Sequence, residues 1–248
     1  MTAKSIYSKY QIKHIEFVKN KLAKAVRDYK MIADNDKVLV AVSGGKDSLV
    51  LLEALSAFKK YEIFKFQLEA IHINVQDVDY EVNREYLMDL SNNLGVKMNF
   101  IDIEAGIENR GKKSPCFLCS WHRRKALFIY ANTNGFNKLA LGHHMDDAVE
   151  TLLINMTYHA NISSLTGVLS MFDGKLSLIR PIILLSDYDC REFANIKKYP
   201  KLKVECPFED FSKRTTVRNI LKQLEEIHPK AKQNIFNSLS NIDLKYLP

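Results

Sequence analysis

The stretch that most constrains this chain is Lys37 to Ser48, KVLVAVSGGKDS, a short β-branched run that stops at two glycines before helical apolar spacing resumes from Asp47 to Phe58. The run predicts a buried strand, the paired glycines a tight turn, and the next segment a helix. The same alternation recurs. Strands are expected near 68–74, 97–103 and 138–142, with helices near 80–93, 120–134 and 146–158. Strands interleaved with helices imply right-handed crossovers, and hence an α/β fold: a parallel twisted sheet with helices on both faces. Ligands of such sheets sit at the carboxyl ends of the strands.

Both ends of the chain depart from this alternation. Residues 5–30 place Ile12, Ile15, Phe17, Val18, Leu22 and Val26 at helical spacing among lysines, which predicts a basic amphipathic leading helix. After residue 160 the pattern becomes irregular through NISSLTGVLSMFDGK. It returns as one strand at Leu176–Ile183, followed by helices near 187–198, 214–226 and 229–241. With 248 residues and 46% apolar side chains there is material for a real core. No Pro/Gly/Ser-rich linker marks a clean boundary. The expected organisation is a leading helix (1–30), a central α/β domain (31–185) carrying a C-x-x-C insertion, and a helical segment (186–248) packed on that domain.

Charge and cysteine usage bound the partners. Residues 1–30 hold eight Lys/Arg against two Asp/Glu, residues 31–190 sixteen against twenty, and residues 191–248 twelve against seven. A mildly acidic middle flanked by basic ends suits a nucleotide-using core with arms for a polyanion such as nucleic acid, although the same pattern also serves solubility. Met1 to Tyr10 is polar and basic with no apolar stretch behind it, so a signal peptide is not expected. No stretch is apolar enough to span a bilayer. Four cysteines, two of them in a C-x-x-C pair, fit a reducing compartment, and a cytoplasmic location is expected.

Ser43-Gly44-Gly45-Lys46-Asp47-Ser48 falls between a predicted strand and a predicted helix, where backbone N–H groups and the helix dipole favour an anion. The glycines let the backbone close on phosphate oxygens, Ser43 and Ser48 offer hydroxyls, Lys46 a point charge, and Asp47 a carboxylate for Mg2+. The loop is not of the G-x-x-x-x-G-K-[ST] kind, because Asp47 follows the lysine. As a bare turn, Ser and Gly would also serve on conformational grounds. Gly142-His143-His144-Met145-Asp146-Asp147 ends another predicted strand and should emerge at the same sheet edge. Its carboxylates can serve magnesium or orient a nucleotide, and one of them can simply cap the next helix.

Cys116 and Cys119 open the helix that contains Arg123 and Arg124, with spacing suited to two thiolates on one metal or cluster. Further ligands must come from elsewhere, and Cys206 is the best candidate. Cys190, inside a helical pattern, reads as a packing residue. A 4Fe-4S cluster on three thiolates, a zinc site completed by histidine, and a persulfide or disulfide relay all fit this spacing. For nucleic-acid contacts the candidates are Lys13, Lys21 and Lys24, then Arg123 and Arg124, and Lys213, Arg214 and Arg218, each of which also fits a solvated basic face.

The SGGKDS loop in its strand-turn-helix setting resembles the SGGxDS signature of PP-loop ATP pyrophosphatases, and GHHMDD resembles that family's GHHxDD element. With VAVSGGKDSLVLL, CFLCSWHRRKALF, KLALGHHMDDAVETLLINM, Ile179-Arg180-Pro181 and Cys206 in this order, most of the chain is similar to the tRNA 2-thiocytidine synthetase (TtcA-like) group. The resemblance implies that Ser43 to Ser48 with Gly142 and His143 bind ATP, and that Lys46, Asp47, Asp146 and Asp147 serve catalysis. It further implies a 4Fe-4S cluster on Cys116, Cys119 and Cys206. In this group ATP adenylates the carbonyl of an anticodon-loop cytidine, and sulfide then displaces AMP. The implied partners are tRNA and a sulfur donor, either a cysteine desulfurase or free sulfide, with no membrane; a homodimer is compatible. Two departures stand out. Cys206 is followed by Pro207-Phe208-Glu209 instead of a second C-x-x-C, and the second strand reads His72-Ile73-Asn74-Val75-Gln76 instead of ending in Asn-Leu-Asp-Gln, which leaves the adenine and ribose contacts unassigned. The alternatives are tRNA uridine thiolation and a non-catalytic nucleotide- or zinc-binding RNA module.

Overall fold

The computed structural model describes residues 7–62, 64–78, 82–106, 115–200 and 213–246, with the backbone alone at Cys116 and Lys213. The leading helix α1 (Lys9–Asp28) starts at Ser8, whose side chain accepts from the Gln11 N–H while the Gln11 side chain accepts from the Ser8 N–H. This reciprocal cap satisfies two of the donors that a helix start leaves over. The helix buries Ile15, Val18, Leu22, Ala25 and Val26. Next come β1 (Lys37–Ala41), α2 (Lys46–Tyr61), β2 (Gln67–Val75), α3 (Arg84–Asn93), β3 (Lys97–Ile103), α4 (Pro115–Thr133), β4 (Lys138–Ala140) and α5 (Met145–His159). Then β5 (Val168–Met171), β6 (Leu176–Ile179), α6 (Asp187–Lys197), α7 (Lys213–Ile227), α8 (Ala231–Ser238) and a short 3-10 turn at Leu244–Tyr246 complete the order.

The six strands lie in the order β3-β2-β1-β4-β6-β5. The sheet is parallel except for its edge, where β5 runs antiparallel to β6. At the centre Val38 pairs with Leu68 on one side and Lys138 on the other, and Ala140 pairs with Ile179. Val38, Leu39 and Val40 are fully buried because helices cover both faces of the sheet. One core unites α1, α2 and α6 with the sheet through Leu22, Leu51, Leu55 and Phe193; the other packs α4 on the opposite face through Leu39, Ile71, Leu127 and Leu139. A satellite cluster of Val149, Val217 and Leu221 joins α7 to α5.

The sheet departs from expectation at β5 and β6. Strand β5 lay in the stretch read as irregular; it has only four residues and its middle two are exposed, so it carries no strong alternation. It reverses into β6 through Phe172 and Asp173, both left-handed, and Gly174 at φ +85°. The strand expected to reach Ile183 stops at Ile179 because Pro181 has no N–H to give a ladder. The segment folds into turns instead, with Ile183 N–H bonded to Arg180 O and Leu185 N–H to Ile182 O.

Candidate active site at the strand ends

The chain leaves β1 toward β2 and β3 on one side and returns at β4 on the other, so the crevice between the carboxyl ends of β1 and β4 is the switch point of the sheet. Both loops singled out in the sequence emerge there. Gly44 has φ +89°, and a Cβ on it would stand 2.7 Å from the Val82 side chain, so glycine is required twice over. Gly45 caps α2 with no side chain to accept from the first-turn N–H groups. The Ser48 hydroxyl donates to Gly45 O at 2.7 Å, and Ser43 Oγ lies 3.2 Å from Ser48 Oγ, which folds the loop into a ring. Gly142 presses on this turn from β4. A Cβ there would meet the Asp47 carbonyl carbon and the Ser48 nitrogen at 3.1 Å, so its contribution is close approach.

A cavity of about 310 Å3 opens between the two loops, lined by Ser43, Gly45, Asp47 and Ser48 on one side and Gly142, His143 and Asp147 on the other. Ile71, Ile73, Leu127 and Leu141 give it an apolar wall, and Arg123 of α4 reaches into it. Hydroxyls, backbone and one charged rim against an apolar slot suit a nucleotide, with the base on the wall and phosphates toward the loop. The His143 Nδ1 is buried and has no hydrogen-bond partner among the described residues. Burial pulls the His143 pKa down to about 4; nearby Arg180 and Arg214 add to this and Asp147 opposes it. The imidazole is therefore neutral at pH 7, able to accept or donate one hydrogen bond to a ligand.

The two adjacent aspartates do different things. Asp147 faces the cavity, accepts from the His144 N–H at 3.0 Å, and has Arg214 at 3.9 Å. Asp146 is buried, and its two oxygens take the Asp187 N–H at 2.9 Å and Lys232 Nζ at 2.9 Å. It ties the start of α6 and the C-terminal helix α8 to α5. His144 caps α5, accepting from the Asp147 N–H at 3.4 Å. Its Nε2 lies 3.9 Å from both Asp47 and Asp187, and the ligand atoms of Asp47, His144 and Asp187 all fall within 4.8 Å of one another. This set could hold a divalent cation beside the loop.

Beyond the loop lies a second, charged cavity of about 530 Å3, lined by Lys46, Asp47, His144, Asp187, Glu150, Arg218 and Lys232 among others. Lys46 faces this side and bonds Asp47 at 2.9 Å and Asp187 at 2.8 Å. Burial alone would lower the Lys46 pKa, but the two carboxylates override it and hold the ammonium above its ordinary value. Asp187 shows the counterpart: burial pushes its pKa up, yet Lys46, with Arg191 and His144, brings it below the usual range.

Of the arginines proposed for RNA, Arg123 enters the cavity between the two loops, Arg124 is exposed, and Arg214 and Arg218 reach Asp147 and Glu150, the latter at 2.8 Å. The Lys213 side chain lies outside the described residues. Cys116 and Cys119 both lie at the start of α4, and Cys119 is half-buried one turn before Arg123 and on the same side of the helix. Cys206 lies outside the described residues. Cys190 is fully buried in the main core, and burial pushes its thiol pKa well up, as suits a packing residue.

Asp187, Arg180 and Lys232 were not found as site residues by sequence reasoning. Arg180 is buried, donates to Thr166 O at 2.6 Å and stands close enough to His143 to lower its pKa. Its motif was visible but nothing local states its role. Asp187 had one usable signal, its place in the first turn of a Ser-capped helix. Its position opposite Lys46 depends on α6 returning to the strand edge.

The chain matches the family described as PP-loop domain over residues 14–225. It is 34% identical over 227 residues to tRNA-cytidine(32) 2-sulfurtransferase 1 of Francisella tularensis, with 90% of this chain and 84% of that one covered. Against tRNA-cytidine(32) 2-sulfurtransferase of Bdellovibrio bacteriovorus it is 34% identical over 229 residues, covering 91% and 88%. Among solved structures, the U34-tRNA thiolase NcsA from Methanococcus maripaludis with its [4Fe-4S] cluster superposes with a TM-score of 0.75 at 24% identity, covering 96% of this chain and 81% of that one. That last likeness bears on the fold. No helix among the described residues is long and apolar enough to cross a membrane.

Proposed function

This chain belongs to the PP-loop family, in the branch of the tRNA-cytidine(32) 2-sulfurtransferases, and on that premise we propose that it is an ATP-dependent tRNA thiolase that converts an anticodon-loop cytidine to 2-thiocytidine. The observation that carries this reading is the meeting, at one cavity, of the Ser43–Ser48 loop, the Gly142–Asp147 element and the helix that begins with Cys116 and Cys119. The adenosine of ATP occupies the apolar side of that cavity and its phosphates lie along the Ser43–Ser48 loop. The cytidine O2 attacks the α-phosphorus, a P–O bond forms, and the bond to the β-phosphate breaks with its electron pair leaving on pyrophosphate. HS− then adds to C2, the C2–O bond breaks, AMP departs with the former O2, and the sulfur's proton passes to solvent.

Lys46 neutralises charge that builds on the departing pyrophosphate, and Asp47 with Asp187 and His144 would hold a divalent cation such as Mg2+ that shares this task. Arg123 holds the α-phosphate side of the cavity. Two cysteines in the first turns of α4, the helix that sends Arg123 and Leu127 into the cavity, offer a soft thiolate donor set that fits an iron-sulfur cluster. Cys116, Cys119 and Cys206 would hold such a cluster, which would supply sulfide to the activated base. Free sulfide, or the persulfide sulfur of a cysteine desulfurase once a thiol reductant has supplied two electrons, replenishes the HS−, in the cytoplasm where tRNA is processed.

The test is mass spectrometry of nucleosides from digested tRNA of a deletion strain complemented with wild type or Asp47→Ala. The expected result is 2-thiocytidine restored by wild type alone. A normal 2-thiocytidine level in the deletion strain refutes the reading, and loss of a thiouridine in its place changes the substrate base. Anaerobically purified protein should show a broad iron-sulfur absorption that Cys116→Ala abolishes; zinc in place of iron would exclude the cluster.

A further inference from the structure

Helix α4 presents two unlike sides. Cys119, Arg123 and Leu127, spaced by four, run along the side that reaches the nucleotide cavity. Phe117 and Trp121 run along another, with 48% and 45% of their surface exposed, followed by Arg124 and Lys125, both exposed. Lys125 Nζ stands 5.3 Å from the Trp121 ring centre, and the His122 ring meets that indole edge-on at 4.8 Å. The stripe continues to Phe128, which packs at 5.5 Å on Phe172, itself 53% exposed at the β5–β6 turn. From Phe117 to Phe128 it is about 16 Å long.

Aromatic side chains with about half their surface exposed along one stripe need a reason, and the cations beside them narrow it. A chain of net charge +7 docking on itself about a two-fold axis would bring Arg124 and Lys125 against their own copies, which costs energy. A polyanion with flat, unpaired bases meets no such penalty: it stacks on the rings while its phosphates meet the cations. We propose that the outer face of α4, centred on Trp121 with Phe117, Arg124 and Lys125, is a stacking platform for unpaired bases of an RNA loop. This rests on the tRNA-substrate reading and adds to it where the neighbours of the target base go. A helix is about 10–12 Å across with its side chains, so a loop that delivers one base to the Arg123 side can lay adjoining bases over the Trp121 side.

Trp121 is the single tryptophan of the chain, so its fluorescence reports on this face alone. An RNA hairpin with an unpaired loop should quench it strongly, and a blunt duplex of equal charge far less, because the duplex keeps every base face but those at its two ends stacked on a neighbour. In thiolation assays with whole tRNA, Trp121→Ala should raise KM for tRNA about tenfold, the loss of roughly one base stack, with kcat and KM for ATP unchanged. Trp121→Phe should recover most of that loss, which a merely structural role would not predict. Equal quenching by duplex and hairpin overturns the proposal, as does an unchanged KM in Trp121→Ala. Concentration-dependent dimerisation that shields Trp121 in sedimentation and quenching experiments assigns the face to a second copy and also overturns it. If wild type forms no thionucleoside at all, the failure lies with the function proposed above; if wild type is active and Trp121→Ala behaves like it, the platform alone fails.

Discussion

The cavity at the sheet edge and the charged cavity beyond the loop share Asp47 and Asp147 but are built on opposite principles. The first has an apolar wall, hydroxyls and backbone, and Arg123 as its basic group. The second is lined by acids and bases already paired: Lys46 with Asp47 and Asp187, Arg218 with Glu150, Lys232 with Asp146. The loop divides its own residues between them, hydroxyls to one and Lys46 to the other. The difference teaches that the first cavity can select by shape, whereas the second holds a neutralised set of charges that, on the proposed function, a metal and polyphosphate would re-pair. It also teaches that the C-terminal helices are tied by ion pairs to the very element that carries the site carboxylates.

The strongest way to break this division is Lys46→Ala. It removes the cation of the charged side, and tRNA-dependent AMP formation should fall about 10²–10³-fold while binding of adenosine itself stays near wild type. Equal loss of adenosine binding would mean the two cavities act as one. Gly142→Ala strikes the other side: its methyl must push on the Asp47 and Ser48 backbone, so a stability loss of about 1–3 kcal/mol is expected in urea unfolding, with weakened ATP binding.

Lys232→Ala sharpens the contrast further. Asp146 would keep the Asp187 N–H and lose its ammonium, at a cost of about 1–2 kcal/mol in stability given the partial exposure of the lysine, with little change in KM for ATP. A shifted KM with unchanged stability would instead place Lys232 among the phosphate-binding groups. A further effect concerns pH. His143 is neutral in the fold down to about pH 4, whereas in the unfolded chain it takes up its proton near 6.5. Between those values the unfolded state binds more protons, so stability should decline as pH falls from about 6.5 to 4 and the added decline should stop below that. His143→Gln should flatten that part of a Tm against pH curve.

The legible parts of the molecule were those whose cause is local. Val38 to Val42 ends in paired glycines, and β3 coincides with its expected span at 97–103, because period and punctuation operate over a few residues. Strand β5 was not legible, since a four-residue edge strand draws its stability from pairing with β6. Within the candidate site, the loop residues named from the sequence line the cavity, whereas Asp187 had no distinguishing sequence signal of its own, because a lone aspartate in a helix's first turn looks like any other cap. Asp146 and Asp147 were indistinguishable as neighbours in sequence; consecutive helical side chains point about 100° apart, and only packing decides which faces the cavity and which faces α6 and α8.

The amino-acid order by itself determined the alternating elements, the loop between β1 and α2 and the chemistry it offers, because hydrophobic period and glycine placement are properties of short stretches. Tertiary structure alone decided which residues share a cavity: the return of α6 to bring Asp187 to Lys46, the reach of Arg123 from α4, the burial that keeps His143 neutral, and the docking of α7 and α8 on α5. These depend on desolvation and on distances between groups tens to about 140 residues apart, and neither quantity exists until the chain has closed around its core.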